Sequence, residues 1–118
     1  MRVLIAGASS PLGVATAAAL GRAGHHVIAV GSDEGRLAAV PAQEREVCDL
    51  TDLGAVTALA DRVGPIDGLL HLVGGWRGGG GLAGQSDEDW RWLETRVVDT
   101  LRNSTRAFLP ALRASSAG

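Results

Sequence analysis

The residues best placed to do chemistry lie in one short turn near the start of the chain, residues 6–13, between an apolar run and a helical pattern. Free N–H groups at a helix N-terminus bind phosphate, and glycine allows the chain to turn tightly beside the ligand. Gly7 can supply that turn and Gly13 the close approach of strand and helix. Ser9 and Ser10 can donate hydroxyl hydrogens. The turn predicts a site for the pyrophosphate of a dinucleotide, with a plain strand–helix connection as the alternative.

Short apolar runs alternate with amphipathic stretches, and this alternation predicts a βαβαβαβα order with a parallel sheet. We expect strands at residues 3–6, 27–30, 46–48 and 69–73. Residues 74–84 contain seven glycines and are predicted to be a loop. We expect helices from Pro11, capped by Ser10, to Gly24, over residues 34–40, from Thr51 or Asp52 to Gly64, and from a Ser86-x-x-Asp89 capping box to Ala114.

The spacing of apolar residues marks one face of three of these helices, because residues three and four apart share one side of a helix. Cys48 is predicted to be a small buried side chain in the third strand. The predicted apolar faces are Leu12, Ala15, Ala19 and Ala23 in the first helix, where they mark the buried stripe, and Leu53, Val56, Leu59, Ala60 and Val63 in the third. In the last helix the residues that recur at spacings of three and four are Trp90, Leu93, Val97, Leu101, Thr105, Phe108 and Leu112.

The turn at residues 6–13 resembles the Gly-x-x-x-Gly-x-Gly turn of the short-chain dehydrogenase/reductase family, with Pro11 in the place of the middle glycine. The resemblance implies an α/β fold with a Rossmann-like parallel sheet of strand order 3-2-1-4, flanked by helices. It implies one NAD(P)-binding domain over residues 1–118, whose parent protein moves hydride between a nicotinamide cofactor and a carbonyl or alcohol. Leu12 is then expected at the cofactor, together with the glycines and serines of the turn. Proline removes one N–H and adds a ring where the cofactor approaches. Either cofactor binding is weakened, or the turn takes a slightly different position.

Later segments resemble further parts of the family's cofactor site. Asp49-Leu50, after the third strand, resembles the aspartate segment that binds the amino group of adenine, since a carboxylate accepts such hydrogen bonds. Asp49 is alternatively part of the cap of the next helix. Residues 71–74 read His-Leu-Val-Gly where the family has Asn-Asn-Ala-Gly, so Gly74 alone keeps its place beside the cofactor ribose.

Two polar residues are given structural roles. His71 is predicted to be a packed or hydrogen-bonded residue of the fourth strand rather than a catalytic one. The family's structural asparagine, counted back from Pro110, falls on Val97. Asn103 lies nearly two turns further along the helix and is predicted to be a surface residue.

The end of the second strand distinguishes NAD from NADP in the family, because an acid there binds the ribose 2′-hydroxyl and a base accommodates the 2′-phosphate. Gly31 stands where the acid is expected, and Ser32, a predicted cofactor contact, stands where an arginine is common. Asp33 and Arg36 lie nearby, but each is alternatively a solvated charge at a helix start. The choice stays open, with NADP favoured because no acid is directly in place.

The family's chemistry comes from later residues, a serine on the fifth strand and a Tyr-x-x-x-Lys motif in which lysine lowers the pKa of the tyrosine. This chain has no tyrosine and no lysine, and Ser115 and Ser116 precede the expected fifth strand. We therefore expect the fold to stop before that strand, with no catalytic residue and no metal site. The alternatives are a non-catalytic nucleotide-binding sensor or interaction module, and a degenerate fragment held together by oligomerisation.

Composition narrows the class of protein and its partners. A chain of 118 residues, 46% hydrophobic and 20% charged, is typical of one globular domain. The net charge of −2 gives no reason to expect nucleic acid or an anionic membrane. A single cysteine and a short N-terminal apolar run favour the cytoplasm. Strand four would be an unpaired edge, and the last helix would expose Val97, Val98, Leu101 or Phe108, so self-association is expected.

Overall fold

Four short strands pair side by side in a computed structural model that describes residues 1–117. The strands are β1 (Arg2–Ala6), β2 (His26–Gly31), β3 (Glu44–Val47) and β4 (Gly68–His71). All pairs are parallel and the order is β3-β2-β1-β4, which confirms the predicted Rossmann-like order 3-2-1-4. Ala6 pairs with Val30 on one side and with His71 on the other. The carboxyl ends of the strands therefore meet at one edge of the sheet.

Helices connect and follow the strands: α1 (Pro11–Arg22), α2 (Glu34–Leu37), α3 (Leu53–Val63), α4 (Asp87–Leu93) and α5 (Thr100–Ala114). A π-helical segment, Glu94–Asp99, joins α4 to α5, and a single 3₁₀ turn at Leu82–Gly84 interrupts the glycine-rich loop. Helices α1 to α4 each begin after a serine or aspartate whose side chain accepts a hydrogen bond from a first-turn N–H. These caps are Ser10, Asp33, Asp52 and Ser86.

Two apolar layers hold the sheet between the helices. On one face Val56, Leu59 and Phe108, from α3 and α5, are buried against Leu4 and Ile28. The predicted buried face of α3 is thus confirmed at Val56, Leu59 and Val63. The opposite face buries side chains of α1 and α2 against the sheet, a cluster formed by Ile5, Ala8, Ala17, Val27, Ala29, Leu37 and Val40.

The predicted buried face of α1 is wrong. Leu12 is 63% exposed, and the alanines at positions 15, 19 and 23 are exposed as well. Gly13 and Ala17 are the buried residues instead. The helix is composed largely of small apolar residues, so its sequence shows little contrast between faces. Its rotation follows from the close contact at Gly13 rather than from an apolar stripe.

The apolar spacing of the last helix does not mark a buried face in the first half of that helix. A π turn closes hydrogen bonds over five residues instead of four, so a spacing of three and four does not continue across Glu94–Asp99. Val97 and Leu101 are 37% and 47% exposed. Val97, Val98 and Leu101 are thus exposed as expected, whereas Phe108, the fourth residue of that expectation, is buried. Asn103, predicted at the surface, is buried as well. The inward face of α5 is formed by Thr100, Asn103, Ser104 and Phe108.

Three elements have bounds that differ from those expected. β3 covers Glu44–Val47 rather than residues 46–48, and β4 covers Gly68–His71 rather than residues 69–73. β3 lies at the sheet edge, where charged residues such as Glu44 and Arg45 are tolerated, and these charges concealed its start. α2 ends at Leu37, three residues earlier than expected. Cys48 is buried as predicted, directly after β3, and burial raises the pKa of its thiol.

Candidate functional site

A cleft opens at the edge where the carboxyl ends of the strands meet. Parallel α/β sheets bind ligands at this edge. The structure brings five predicted site residues into its lining, Gly7, Ser9, Ser32, Asp49 and Leu50. The lining is completed by Gly31, Cys48, Thr51, Val73, Arg96 and Thr100, which sequence reasoning did not assign to a site.

The turn between β1 and α1 requires glycine at two positions. Gly7 has a φ of +82°, and a Cβ there would lie 2.7 Å from the carbonyl carbon of Leu72. A Cβ at Gly13 would lie 2.5 Å from the carbonyl oxygen of Ala8. Both obstructing atoms belong to the backbone, so no side-chain movement relieves the overlap. Strand, turn and helix therefore approach one another closely enough to form a narrow cradle.

The first turn of α1 determines which donors the cradle offers. Ser10 is the cap: its Oγ accepts a hydrogen bond from the N–H of Gly13 at 3.0 Å and donates one to the carbonyl oxygen of Gly7 at 3.0 Å. Pro11 has no N–H to offer. Within residues 1–117 the N–H groups of Ser9 and Leu12, and the hydroxyl of Ser9, make no hydrogen bond. Those three donors remain for a ligand, although the Leu12 side chain lies outside the cleft lining.

Asp49 is held in place by the residue two positions further on. Its Oδ1 accepts hydrogen bonds from the N–H of Thr51 at 3.0 Å and from the Thr51 hydroxyl at 2.6 Å. These two bonds, with a smaller contribution from the charge of Arg96, lower the pKa of the Asp49 carboxyl. Asp52 caps α3, its Oδ1 accepting from the N–H of Ala55 at 3.2 Å. Asp49 is therefore not the helix cap, and its other oxygen is available to a donor.

The end of β2 has no carboxylate pointing into the cleft. A Cβ at Gly31 would lie 3.3 Å from Leu37 Cδ1 and 3.6 Å from Ser9 Oγ, so this position is tight. Ser32 is exposed and lines the cleft. Asp33 turns away to cap α2, where its Oδ1 accepts a hydrogen bond from the N–H of Arg36 at 2.9 Å. The polar groups that face the cleft here are serine hydroxyls.

Gly74, predicted to contact the cofactor, lies outside the cleft lining. It is exposed, a Cβ there would meet no atom within 4 Å, and the cleft is lined by Val73 instead. Three further predicted residues, Ser10, Leu12 and Gly13, lie outside the lining and shape the start of α1.

Residues of the π segment and α5 complete the cleft and its support. Thr100 Oγ1 donates a hydrogen bond to the carbonyl oxygen of Arg96 at 2.6 Å and lies 3.3 Å from His71 Nε2. Burial lowers the pKa of His71, which fits the packed role predicted for it. Asn103 Nδ2 donates to the carbonyl oxygen of Leu50 at 3.0 Å. Thr100 and Asn103 lie three residues apart on one helix face, and both are buried.

Two other kinds of site are absent from the described residues. Within residues 1–117 no three histidine, cysteine or acidic side chains lie close enough together to hold a metal ion. None of the helices in that range is sufficiently long and apolar to span a membrane.

The chain is similar to known proteins both in sequence and in structure. The model of the short chain dehydrogenase family matches residues 1–118. A 2-keto-3-deoxy-L-fuconate dehydrogenase of Xanthomonas campestris is 33% identical over 115 residues, which are 94% of this chain and 38% of that protein. An uncharacterized oxidoreductase of Mycobacterium tuberculosis is 41% identical over 119 residues, 98% of this chain and 47% of that protein.

Solved structures show the same correspondence. A short chain dehydrogenase of Escherichia coli superposes with a TM-score of 0.90 at 25% identity, covering 98% of this chain and 57% of that one. A short chain oxidoreductase of Pseudomonas aeruginosa, described as containing an atypical catalytic center, superposes with a TM-score of 0.86 at 28% identity, covering 97% and 48%. The chain spans about half the length of the proteins it matches, or less.

Proposed function

The chain belongs to the short-chain dehydrogenase family, and from that premise we propose that residues 1–118 bind the nicotinamide dinucleotide of an NAD(P)-dependent oxidoreductase. The parent activity is hydride transfer between the cofactor and a carbonyl or alcohol substrate. The observation that carries the proposal is the cradle at Gly7 and Gly13, where a Cβ would overlap backbone atoms at 2.7 and 2.5 Å. This packing fixes the turn at the start of α1, where the unpaired N–H groups of Ser9 and Leu12 favour an anion.

Each part of a dinucleotide then has chemically suitable partners. The N–H groups of Ser9 and Leu12 and the Ser9 hydroxyl serve the pyrophosphate, while Ser10 and Gly13 keep the turn in shape. Asp49, ionised and fixed by Thr51, accepts a hydrogen bond from the adenine amino group, and Leu50 contacts the ring beside it. Gly74 leaves space near the ribose of the nicotinamide half. Pro11 removes one donor from this set, so we expect binding through fewer phosphate contacts.

We propose NADP as the cofactor. An enzyme that prefers NAD places a carboxylate at the end of β2 for the ribose 2′-hydroxyl. Here Asp33 is engaged in capping α2, at 2.9 Å from the N–H of Arg36. The cleft is lined at this point by the hydroxyl-bearing residues Ser9 and Ser32, which donate to a 2′-phosphate without repelling it.

The bound cofactor would supply the hydride, and the residues described above bind and orient it. No tyrosine or lysine occurs in the chain, so the usual proton-transfer pair of the family has no counterpart among these residues. We propose that the 118 residues alone bind dinucleotide without turning over an alcohol or carbonyl. A non-catalytic nucleotide-binding sensor or interaction module remains the alternative function for such a chain.

Isothermal titration of the purified chain with NADPH and with NADH tests the proposal. We expect tighter binding of NADPH, and a further gain for NADPH alone in Ser32→Arg, because an exposed guanidinium pairs with the 2′-phosphate. Arg102→Gln, on the exposed face of α5, is the control that changes neither affinity. Absence of binding by a folded sample contradicts the dinucleotide site; tighter binding of NADH contradicts only the choice of NADP.

We also propose that the chain self-associates. β4 is the last strand of the sheet within residues 1–117, and its outer side has no strand partner there. Val98 and Leu101 add exposed apolar surface, at 54% and 47% exposure. Open strand edges and apolar patches favour association. A monomer mass in light scattering at micromolar concentration contradicts this part of the proposal.

A further inference from the structure

His71 is a titratable side chain that lies beside the cleft but outside its lining. It stands at the end of β4, in register with Ala6 of β1, and Leu69 on the same face of β4 packs against the apolar layer below α5. The side of α5 that faces the sheet is formed by Thr100, Asn103, Ser104 and Phe108. Thr100 Oγ1 lies 3.3 Å from His71 Nε2. The imidazole therefore lies in the interface between β4 and α5.

The Thr100 hydroxyl determines which ring nitrogen of His71 carries the hydrogen. A hydroxyl has one hydrogen to donate, and Thr100 Oγ1 directs it to the carbonyl oxygen of Arg96 at 2.6 Å and, at the longer distance of 3.3 Å, to that of Val97. Its contact with His71 Nε2 therefore requires Nε2–H to donate to Thr100 Oγ1. In a neutral imidazole the other nitrogen is then an acceptor without hydrogen. Neutral His71 is thus the Nε2–H form, with a bare Nδ1.

The bare nitrogen is buried in the interface. Within residues 1–117 His71 Nδ1 accepts no hydrogen bond, and Ser104 Oγ is a second buried atom that makes none. Ser104 is 1% exposed and lies one helical turn from Thr100, so both hydroxyls face β4. Since neither orphaned atom has a partner, the Ser104 hydroxyl does not engage Nδ1. A proton on Nδ1 would therefore add a second N–H and a positive charge without an acceptor in place.

The neighbouring elements bring no compensating charge to His71. Its register partner on β1 is the apolar Ala6, and the side of α5 that faces the sheet has no charged residue. Arg96 and Asp99 precede Thr100 on the π segment, and the Arg96 guanidinium lies over the Trp92 ring, 5.6 Å from its centroid. Burial is the only cause that lowers the pKa of His71, so neither of these charges contributes. Protonation of the imidazole is opposed by desolvation alone.

We infer that His71 is a pH-sensitive switch in the interface between β4 and α5, which holds the two elements together while neutral and separates them when protonated. A buried charge without a partner is costly, and hydration of the ring requires the interface to open. Thr100 lines the cleft together with Val73, two residues beyond His71. Acid therefore loosens α5 from the sheet and displaces the cleft wall that Thr100 and Val73 form. This switch belongs to the fold and does not depend on dinucleotide binding.

Urea denaturation as a function of pH compares the wild-type chain with His71→Gln, whose amide nitrogen donates from the position of Nε2 without titrating. The range from about pH 7.5 to about pH 5.5 spans the ordinary histidine pKa of about 6.5 and lies above that of most carboxyls. Because the folded pKa of His71 is lowered, the unfolded chain is protonated first, and stability is lost as the pH falls below about 6.5. Relative to the variant, the unfolding equilibrium constant of the wild type should rise by up to about tenfold per pH unit.

His25→Gln is the matched control, because His25 lies just before β2 and contacts the N-terminal amine rather than the β4–α5 interface. It should retain the pH dependence of the wild type. If the stability of the wild type falls with acid no more steeply than that of His71→Gln, the switch is overturned. Loss of the steep dependence in His25→Gln overturns it as well, because the proton uptake then belongs to another histidine.

Nuclear magnetic resonance of the native chain tests the switch even if His71→Gln does not fold. The imidazole nitrogen shifts of His71 should show hydrogen on Nε2 alone near neutral pH, and its resonances should titrate below about pH 6.5. The amide signals of Thr100 and Val73 should move with the same midpoint, whereas that of Ala17, buried on the opposite face of the sheet, should not. Titration of His71 at or above about pH 6.5, hydrogen on Nδ1, or Thr100 and Val73 signals that do not follow His71 would each overturn the inference.

Discussion

The two edges of the sheet use their polar groups in opposite ways. At the edge where the amino ends of the strands lie, the amino edge, the Arg2 side chain donates to Glu44 at 2.6 Å and to two backbone carbonyls at 2.9 Å. The backbone N–H of Arg2 donates to Asp67 at 2.7 Å. Glu44 also meets His26 at 2.7 Å, and Asp67 accepts from Ser115 at 2.6 Å. These contacts tie β1, β2, β3, β4 and the end of α5 together. The polar groups of this edge serve the fold itself.

The carboxyl edge leaves its groups unengaged. Within residues 1–117 no hydrogen bond is made by the N–H or hydroxyl of Ser9, by the N–H of Leu12 or by the Arg96 guanidinium. Asp49 has one oxygen engaged by Thr51 and the other available. A binding edge therefore differs from a structural one in that the fold holds its donors and acceptors in place without satisfying them. Changes at this edge should affect ligand binding, and changes at the amino edge should affect stability alone.

The largest effect is expected at Gly13, where fold and site coincide. Gly13→Ala places a Cβ 2.5 Å from the carbonyl oxygen of Ala8 and should lower the free energy of unfolding by about 3 kcal/mol, with loss of NADPH binding. Gly21→Ala, in the same helix with no atom within 4 Å of the added Cβ, should raise it by about 0.5–1 kcal/mol. Urea denaturation and NADPH titration of both variants measure these changes. Equal stability of the two variants would show that the close contact at Gly13 is not required.

An effect of intermediate size is expected from replacing one aspartate at each edge, Asp49 at the carboxyl edge and Asp67 at the amino edge, both of which have a lowered pKa. Hydrogen bonds from Thr51 lower the pKa of Asp49, and a hydrogen bond from Ser115 lowers that of Asp67. Asp49→Asn should weaken NADPH binding by about tenfold, because a charged acceptor becomes a neutral one. Asp67→Asn should lower the urea midpoint and leave the dissociation constant unchanged. If Asp67→Asn weakens NADPH binding as much as Asp49→Asn does, the assignment of binding to the carboxyl edge and of stability to the amino edge is contradicted.

The smallest effect concerns Glu44 and depends on pH. The Arg2 hydrogen bond is the main reason that the pKa of Glu44 is lowered in the folded chain. Its contribution to stability is therefore present above the unfolded pKa, about 4.3, and is lost as pH falls through the folded pKa. At pH 7 Glu44→Gln should lower the free energy of unfolding by less than about 1 kcal/mol, since the pair is partly exposed. This difference should shrink as the pH falls through the folded pKa of Glu44. Glu46→Gln, which breaks the single longer pair with Arg62 at 3.3 Å, should have a smaller effect at pH 7.

The sequence was sufficient to predict the order of the strands and the turn at residues 6–13, because continuous apolar runs and a capped helix after glycine are local signals. It also identified Asp49, whose place depends only on the end of β3. It did not identify Arg96 or the buried Asn103, since the π segment moves both relative to an α-helical spacing. The rotation of α1 was equally hidden, because a helix of alanines has no strong apolar face. Tertiary contacts decide these features.

The central place of β1 in the sheet also affects the order in which the strands can pair during folding. β1 precedes the other strands along the chain, yet it pairs with β2 on one side and β4 on the other, and β2, β3 and three helices lie between β1 and β4 in sequence. Contacts between distant segments form slowly, because a long loop has to close first. Until Gly68–His71 pairs with it, one side of the almost wholly apolar strand β1 has no partner. Unpaired apolar strands of this kind are where partly folded chains associate with one another. A strand that is buried along almost its whole length in the folded protein is therefore the one most exposed to misassembly while the chain folds.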